Sequence, residues 1–160
     1  MDTRPLLFLD VDGVLNPLGP GSKPPGFKRY ELLGYQVWLS PSHGKWLNDL
    51  RRWFDLVWAT TWEHQAPRLV APRIGLEGTV PVVEFSRIGI FPGWKLHDVA
   101  LYAGNRPFAW IDDDLGAEAL AWAERREAAT LLVRPDPTEG MTEQHVRQLQ
   151  EFGRAVAGDE

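Results

Sequence analysis

The 160-residue chain contains no cysteine. That excludes a disulfide framework, a thiolate metal site and a cysteine nucleophile. It also lacks an apolar run near the ~20 residues that a membrane-spanning helix needs, so no membrane partner is expected. The opening Met1-Asp2-Thr3-Arg4-Pro5 leads straight into a short apolar run. It has neither the charged start, the long apolar stretch nor the small-residue cleavage site of a secretory signal, and a cytoplasmic address is the default expectation. Excess positive charge is missing too. The net charge is −5, which disfavours a nucleic-acid partner on general electrostatic grounds. Arginine supplies 13 of the 17 cations, so a local basic groove stays open. The remaining composition, 44% hydrophobic and 24% charged, is that of a globular protein. The length suits one domain over residues 1–160 with a sizeable core.

Short apolar runs alternate with amphipathic stretches. Strands are expected at 6–10, 54–60, 107–114 and 129–135, with a weaker one at 81–85. Helices are expected over 43–53, where Trp46, Leu47, Leu50 and Trp53 recur at helical spacing, and over 94–104, 116–128 and 141–156, the last with Thr142 as a cap. This alternation predicts an α/β fold, a Rossmann-like three-layer sandwich around a mostly parallel five-stranded sheet. Residues 16–41 break the rhythm. They are rich in Pro and Gly, then read as a β-hairpin around Gly34, which makes them a candidate flap.

Within LLFLDVDGVLNP, Asp10 and Asp12 follow a buried strand two positions apart. Residues at i and i+2 on a strand point the same way. Two carboxylates aimed at one spot repel, and desolvation adds to the cost. A metal ion, a shared proton or full solvation at a turn would each compensate. The other expected strands end in comparable residues: Thr60 and Thr61 after 54–60, and Asp112, Asp113 and Asp114 after the apolar part of 107–114. In an open α/β sheet, ligands bind beyond the carboxyl ends of the strands. All these side chains therefore converge on one edge, and Lys95 stands at the start of a helix beside it.

DVDGV, then a strand-terminal Thr, then Lys, then a strand ending in Asp-Asp resembles the four-motif signature of the haloacid dehalogenase (HAD) superfamily, whose members are mainly phosphatases. The likeness runs from Leu6 to Asp113. With DVDGVLNP and WATTWEH, the chain also resembles small HAD domains of RNA-repair polyproteins. The resemblance implies a Mg²⁺-dependent phosphatase. Asp10 would be the nucleophile that forms an aspartyl-phosphate, and Asp12 the general acid and base. Thr60 would hold a phosphoryl oxygen, with Thr61 as the alternative one residue on, and Lys95 would neutralise charge. Asp10, the backbone carbonyl of Asp12, and Asp112 would hold the ion, with Asp113 or Asp114 in support. Gly13 would let the chain turn away sharply. The second acid, Asp12, favours phosphoryl transfer over dehalogenation.

Neither the segment after Pro17 nor the interval from Thr61 to Lys95 has room for a cap domain. An open site accepts a phosphorylated small molecule or the phosphorylated end of a macromolecule. Trp62 and His64 are candidates to stack on a substrate, and Arg68 or Arg87 to meet a second phosphate, although packing at the rim for Trp62 and plain solvation for His64, Arg68 and Arg87 are the stronger readings. Two alternatives remain. One is a catalytically idle HAD domain used for binding. The other is a receiver-type phospho-acceptor, which the order of the acids, Thr and Lys opposes.

Overall fold

The computed structural model describes residues 4–158. Four parallel strands form the central sheet: β1 (Leu6–Leu9), β4 (Asp55–Trp58), β5 (Phe108–Ile111) and β6 (Thr130–Val133), in the order β4-β1-β5-β6. An antiparallel hairpin, β2 (Lys28–Leu32) and β3 (Tyr35–Leu39), stands apart from it. The helices are α1 (Pro41–Leu50), α2 (Ala71–Ile74), α3 (Lys95–Ala103), α4 (Ala117–Arg125) and α5 (Glu143–Ala157), and a π-helical turn over Ala66–Val70 runs into α2.

Alternation along each strand sorts the core into two layers. Leu7 and Leu9 of β1, Trp58 of β4 and Ile111 of β5 pack with Leu47, Leu50, Ile74 and Leu149 on one face. Leu6, Phe8, Val57, Phe108 and Trp110 pack with Val99 and Ala119 on the other. Both faces are thereby covered, as a parallel sheet requires. The hairpin contributes Leu32, Val37 and Leu39 to the first layer. Ser40 caps α1 ahead of Pro41, its Oγ accepting from Ser42 N at 3.2 Å. Thr142 caps α5 as expected, in a reciprocal pairing with His145.

Among the described residues the sheet has four strands rather than the expected five. The 81–85 segment makes only an isolated bridge, Trp58 to Val82, beside β4. Pro81 has no N–H to give a ladder. Further along, the Phe85 N–H goes to Glu63 Oε2 (2.8 Å) and the Ser86 N–H to Asp98 Oδ2 (3.1 Å), so side chains take the bonds a neighbouring strand would have made. Strand β1 is central, with β4 on one side and β5 on the other. The chain order thus reverses at its carboxyl end, the place where an open α/β sheet leaves a crevice.

Candidate active site

Asp10 leaves the end of β1 and is buried. Its Oδ1 accepts the N–H of Val11 at 2.8 Å. The chain then closes a tight turn, with Leu15 and Asn16 N–H groups donating to Val11 O and Gly13 N–H to Asn16 O. Gly13 sits at φ +81°, and a Cβ there would overlap the Asp113 carboxylate. Only glycine fits on both counts.

That turn places Asp12 at the rim, between two donors. Its Oδ1 accepts from Asn16 Nδ2 (2.9 Å) and its Oδ2 from Trp62 Nε1 (3.0 Å). Asn16, itself buried, accepts the Trp38 N–H of β3 on Oδ1 at 2.8 Å. The hairpin is thereby joined through one amide to the second acid of the pair.

At the end of β4, Thr60 is fully buried and its Oγ1 accepts the Trp62 N–H at 3.2 Å. Thr61 is exposed. Lys95, the first residue of α3, reaches across the sheet edge. Its Nζ lies 2.7 Å from Asp112 Oδ2, 3.1 Å from the Ala59 carbonyl and 3.2 Å from Asp10 Oδ1. Its three protons therefore face acceptors at the ends of β5, β4 and β1. Asp112 is buried, and its Oδ1 accepts the Asp114 N–H at 2.9 Å.

The electrostatics follow from this crowding. Burial, with Asp112 adding to it and Lys95 opposing it, pushes the Asp10 carboxyl up to about 8. Burial alone would lower the Lys95 ammonium, but Asp10 and Asp112 outweigh it and the net shift is upward. Burial and Asp112 raise Asp113 as well. Among the described residues, Asp10, Asp112 and Asp113 can bring one carboxylate oxygen each to within 4.8 Å of one another. Three carboxylate oxygens at that spacing, those of Asp10 and Asp113 on acids that burial raises, are the donor set of a hard divalent cation. The residues present fit a hard divalent ion such as Mg²⁺. The Asp12 side chain stands outside this group, turned toward Asn16 and Trp62.

Two adjoining clefts meet at the site. One of about 270 Å³ lies over Asp10, Lys95, Asp112 and Asp113. The other, of about 550 Å³, lies between the hairpin and Trp62. Asp12, Leu18 and Thr61 line both. Of the other expected contacts, His64 is exposed and paired with Glu84 (2.8 Å), Arg68 donates to Gln65 (2.9 Å), and Arg87 is exposed. None of the three lines either cleft. The role of Asn16 was not anticipated. Its one sequence signal is its place four residues after Asp12.

Over residues 6–146 the chain matches the family described as the HAD domain in Swiss Army Knife RNA repair proteins. It belongs to that HAD family. Neither the curated proteins nor the solved structures give a match. Membership supports hydrolase chemistry of the phosphatase type in general. No helix among the described residues is long and apolar enough to cross a membrane.

Proposed function

We propose that this HAD domain is a Mg²⁺-dependent phosphatase that hydrolyses a phosphate monoester through an aspartyl-phosphate on Asp10. The observation that carries the reading is the division of labour between the two acids of the first motif. Asp10 faces Lys95, Asp112 and Asp113, whereas Asp12 is held to one side by Trp62 and Asn16.

Asp10, Asp112 and Asp113 would hold the ion, together with the Asp12 carbonyl. When bound, it supplies positive charge that offsets the repulsion between carboxylate and phosphate and keeps Asp10 ionised at neutral pH. The Val11 N–H and Lys95 engage Asp10 Oδ1, which leaves Oδ2 to attack phosphorus. As the Asp10–phosphorus bond forms, the bond to the leaving oxygen breaks and Asp12 gives that oxygen its proton. Asp12, now a carboxylate, takes a proton from water. The resulting hydroxide attacks phosphorus, inorganic phosphate departs, and Asp10 returns as a carboxylate. Lys95 is fixed before the reaction by its three acceptors, so its charge stabilises the transferring group without reorganising. Thr60, whose oxygen accepts the Trp62 N–H, would give its hydroxyl proton to a phosphoryl oxygen at the end of β4, beside the Thr61 that lines both clefts.

The test is phosphate release from a panel of monoesters. Release that requires Mg²⁺ and disappears with EDTA and with Asp10→Asn is the expected result. Release undiminished in Asp10→Asn overturns the assigned nucleophile. No release from any monoester would instead favour a domain that binds without turnover.

A further inference from the structure

The larger cleft beside Asp12 has no part in the chemistry above, yet it opens directly onto it. We infer that this cleft is the leaving-group subsite, and that it takes an uncharged group with a planar aromatic face, as in a nucleoside or aryl monophosphate. The inference rests on the phosphatase reading and goes on to name the class of substrate.

Position is the first ground. A general acid must touch the oxygen that joins phosphorus to the leaving group, and Asp12 stands on the boundary between the two clefts. Whatever is esterified to a phosphate over Asp10 must then extend past Asp12 into the larger space. At about 550 Å³ that space is within the range of ordinary organic-ligand pockets, ~300–1,000 Å³.

The walls are the second ground. The Trp62 indole is fixed by its bond to Asp12, and Tyr35 meets it edge-on, with ring centroids 6.5 Å apart and planes inclined at 61°. Tyr35 is 67% exposed and Leu33 56% exposed. Single exposed apolar residues are ordinary, but here Leu18, Leu33, Tyr35 and Trp62 surround one concavity. Leu33 also sits at φ +52°, next to Gly34 at φ +80°. Two consecutive left-handed residues make the tight hairpin turn that Asn-Gly favours. A leucine there is strained, and its aliphatic side chain lines the cleft.

Charge is the third ground. Asp12 is the one acid in the lining, which contains no Lys or Arg. Arg68 meets the lining at Gln65, whose Oε1 occupies its Nε. A second phosphate in this cleft would find no cation among the lining side chains to offset its charge. The exposed amide of Gln36 suits the polar edge of a neutral ring instead.

Nucleoside 5′-monophosphate and ribose 5-phosphate release the same kind of oxygen and differ by the base. With Mg²⁺ present, the expected kcat/KM ratio is about tenfold in favour of the nucleotide, the scale of one aromatic stacking contact. A 5′-phosphorylated oligonucleotide should do no better than the mononucleotide. Tyr35→Ala and Leu33→Gly should shrink the ratio, a readout that does not depend on the absolute activity left in either variant. Equal kcat/KM for the two substrates, or a preference that survives both variants, overturns the assignment. Saturation-transfer NMR with adenosine reads the cleft without turnover. Binding that Tyr35→Ala abolishes upholds the cleft even where no monoester is hydrolysed, in which case the phosphatase reading alone falls. Hydrolysis with neither adenosine binding nor base preference sinks the cleft alone.

Discussion

Trp62 Nε1 donates to Asp12 Oδ2 at 3.0 Å, joining the turn after β4 to the turn after β1. One indole thereby holds the second acid of the pair away from the carboxylates that its neighbour Asp10 faces. Trp62→Phe keeps the ring and removes the donor. The expected result is a fall in kcat of about tenfold, the scale of one hydrogen bond, with little change in KM. The loss should depend on the leaving group. It should be smaller for p-nitrophenyl phosphate, whose phenolate departs without a proton, than for an alkyl phosphate. Equal losses on both would mean that Trp62 does not act through Asp12.

Metal and proton compete at Asp10. Burial, only partly offset by Lys95, raises its carboxyl from 3.8 to about 8, so the metal-free folded protein keeps a proton that the unfolded chain releases near pH 4. The stability this group contributes is therefore complete below about pH 4 and is lost as pH rises toward 8, with a slope of up to about 1.4 kcal/mol per pH unit. A bound divalent ion needs the carboxylate and must expel that proton below pH 8. Mg²⁺ should accordingly raise the melting temperature more at pH 8 than at pH 6, and Asp10→Asn should flatten the difference. A Mg²⁺ effect that is larger at pH 6 would contradict the assignment of Asp10 to the metal.

Gly13 has two reasons to lack a side chain: φ of +81° and the Asp113 carboxylate in the space a Cβ would fill. Gly13→Ala should cost ~1–2 kcal/mol for the left-handed backbone alone, and should also push Asp113 away from Asp10 and Asp112. Thermal melts and Mg²⁺ titration separate the two effects. Combining Gly13→Ala with Asp113→Ala should recover part of the stability but none of the Mg²⁺ affinity. Recovery of both would show that Asp113 is not a ligand.

The parts of the site that sequence could supply are those attached to strand ends. Asp10 and Asp112 follow apolar runs, and a parallel sheet brings such ends together whatever the loops do. Asp113 and Lys95 follow from the same topology and from the HAD likeness. Side chains that replace backbone partners left no such trace. Glu63 and Asp98 take the N–H groups of Phe85 and Ser86, and so reduce an apparently strand-like PVVEF to one bridge. Asn16 looked like one more polar residue in a Pro- and Gly-rich segment. Its importance depends on Trp38, 22 residues away, whose N–H it accepts while donating to Asp12. The left-handed Leu33 is equally silent, since nothing in YELLGYQ distinguishes it from a leucine packed in the core.

Thr60 and Thr61 are adjacent in sequence and opposite in environment. Thr60 is buried, with Oγ1 accepting from Trp62 N, whereas Thr61 is exposed and lines both clefts. If the Thr60 hydroxyl donates to a phosphoryl oxygen, Thr60→Ala loses that donor and also frees the N–H that orients Trp62 toward Asp12. Its kcat/KM should fall by ~100-fold, as for the loss of a transition-state donor, while Thr60→Ser stays within a few fold. Thr61→Ala should change kcat/KM by less than about tenfold and act through KM, because its side chain borders the substrate without being held toward phosphorus. Inhibition by inorganic phosphate gives a second readout, with the inhibition constant rising in Thr60→Ala and holding in Thr61→Ala. The reverse pattern would move the phosphate-binding hydroxyl to Thr61.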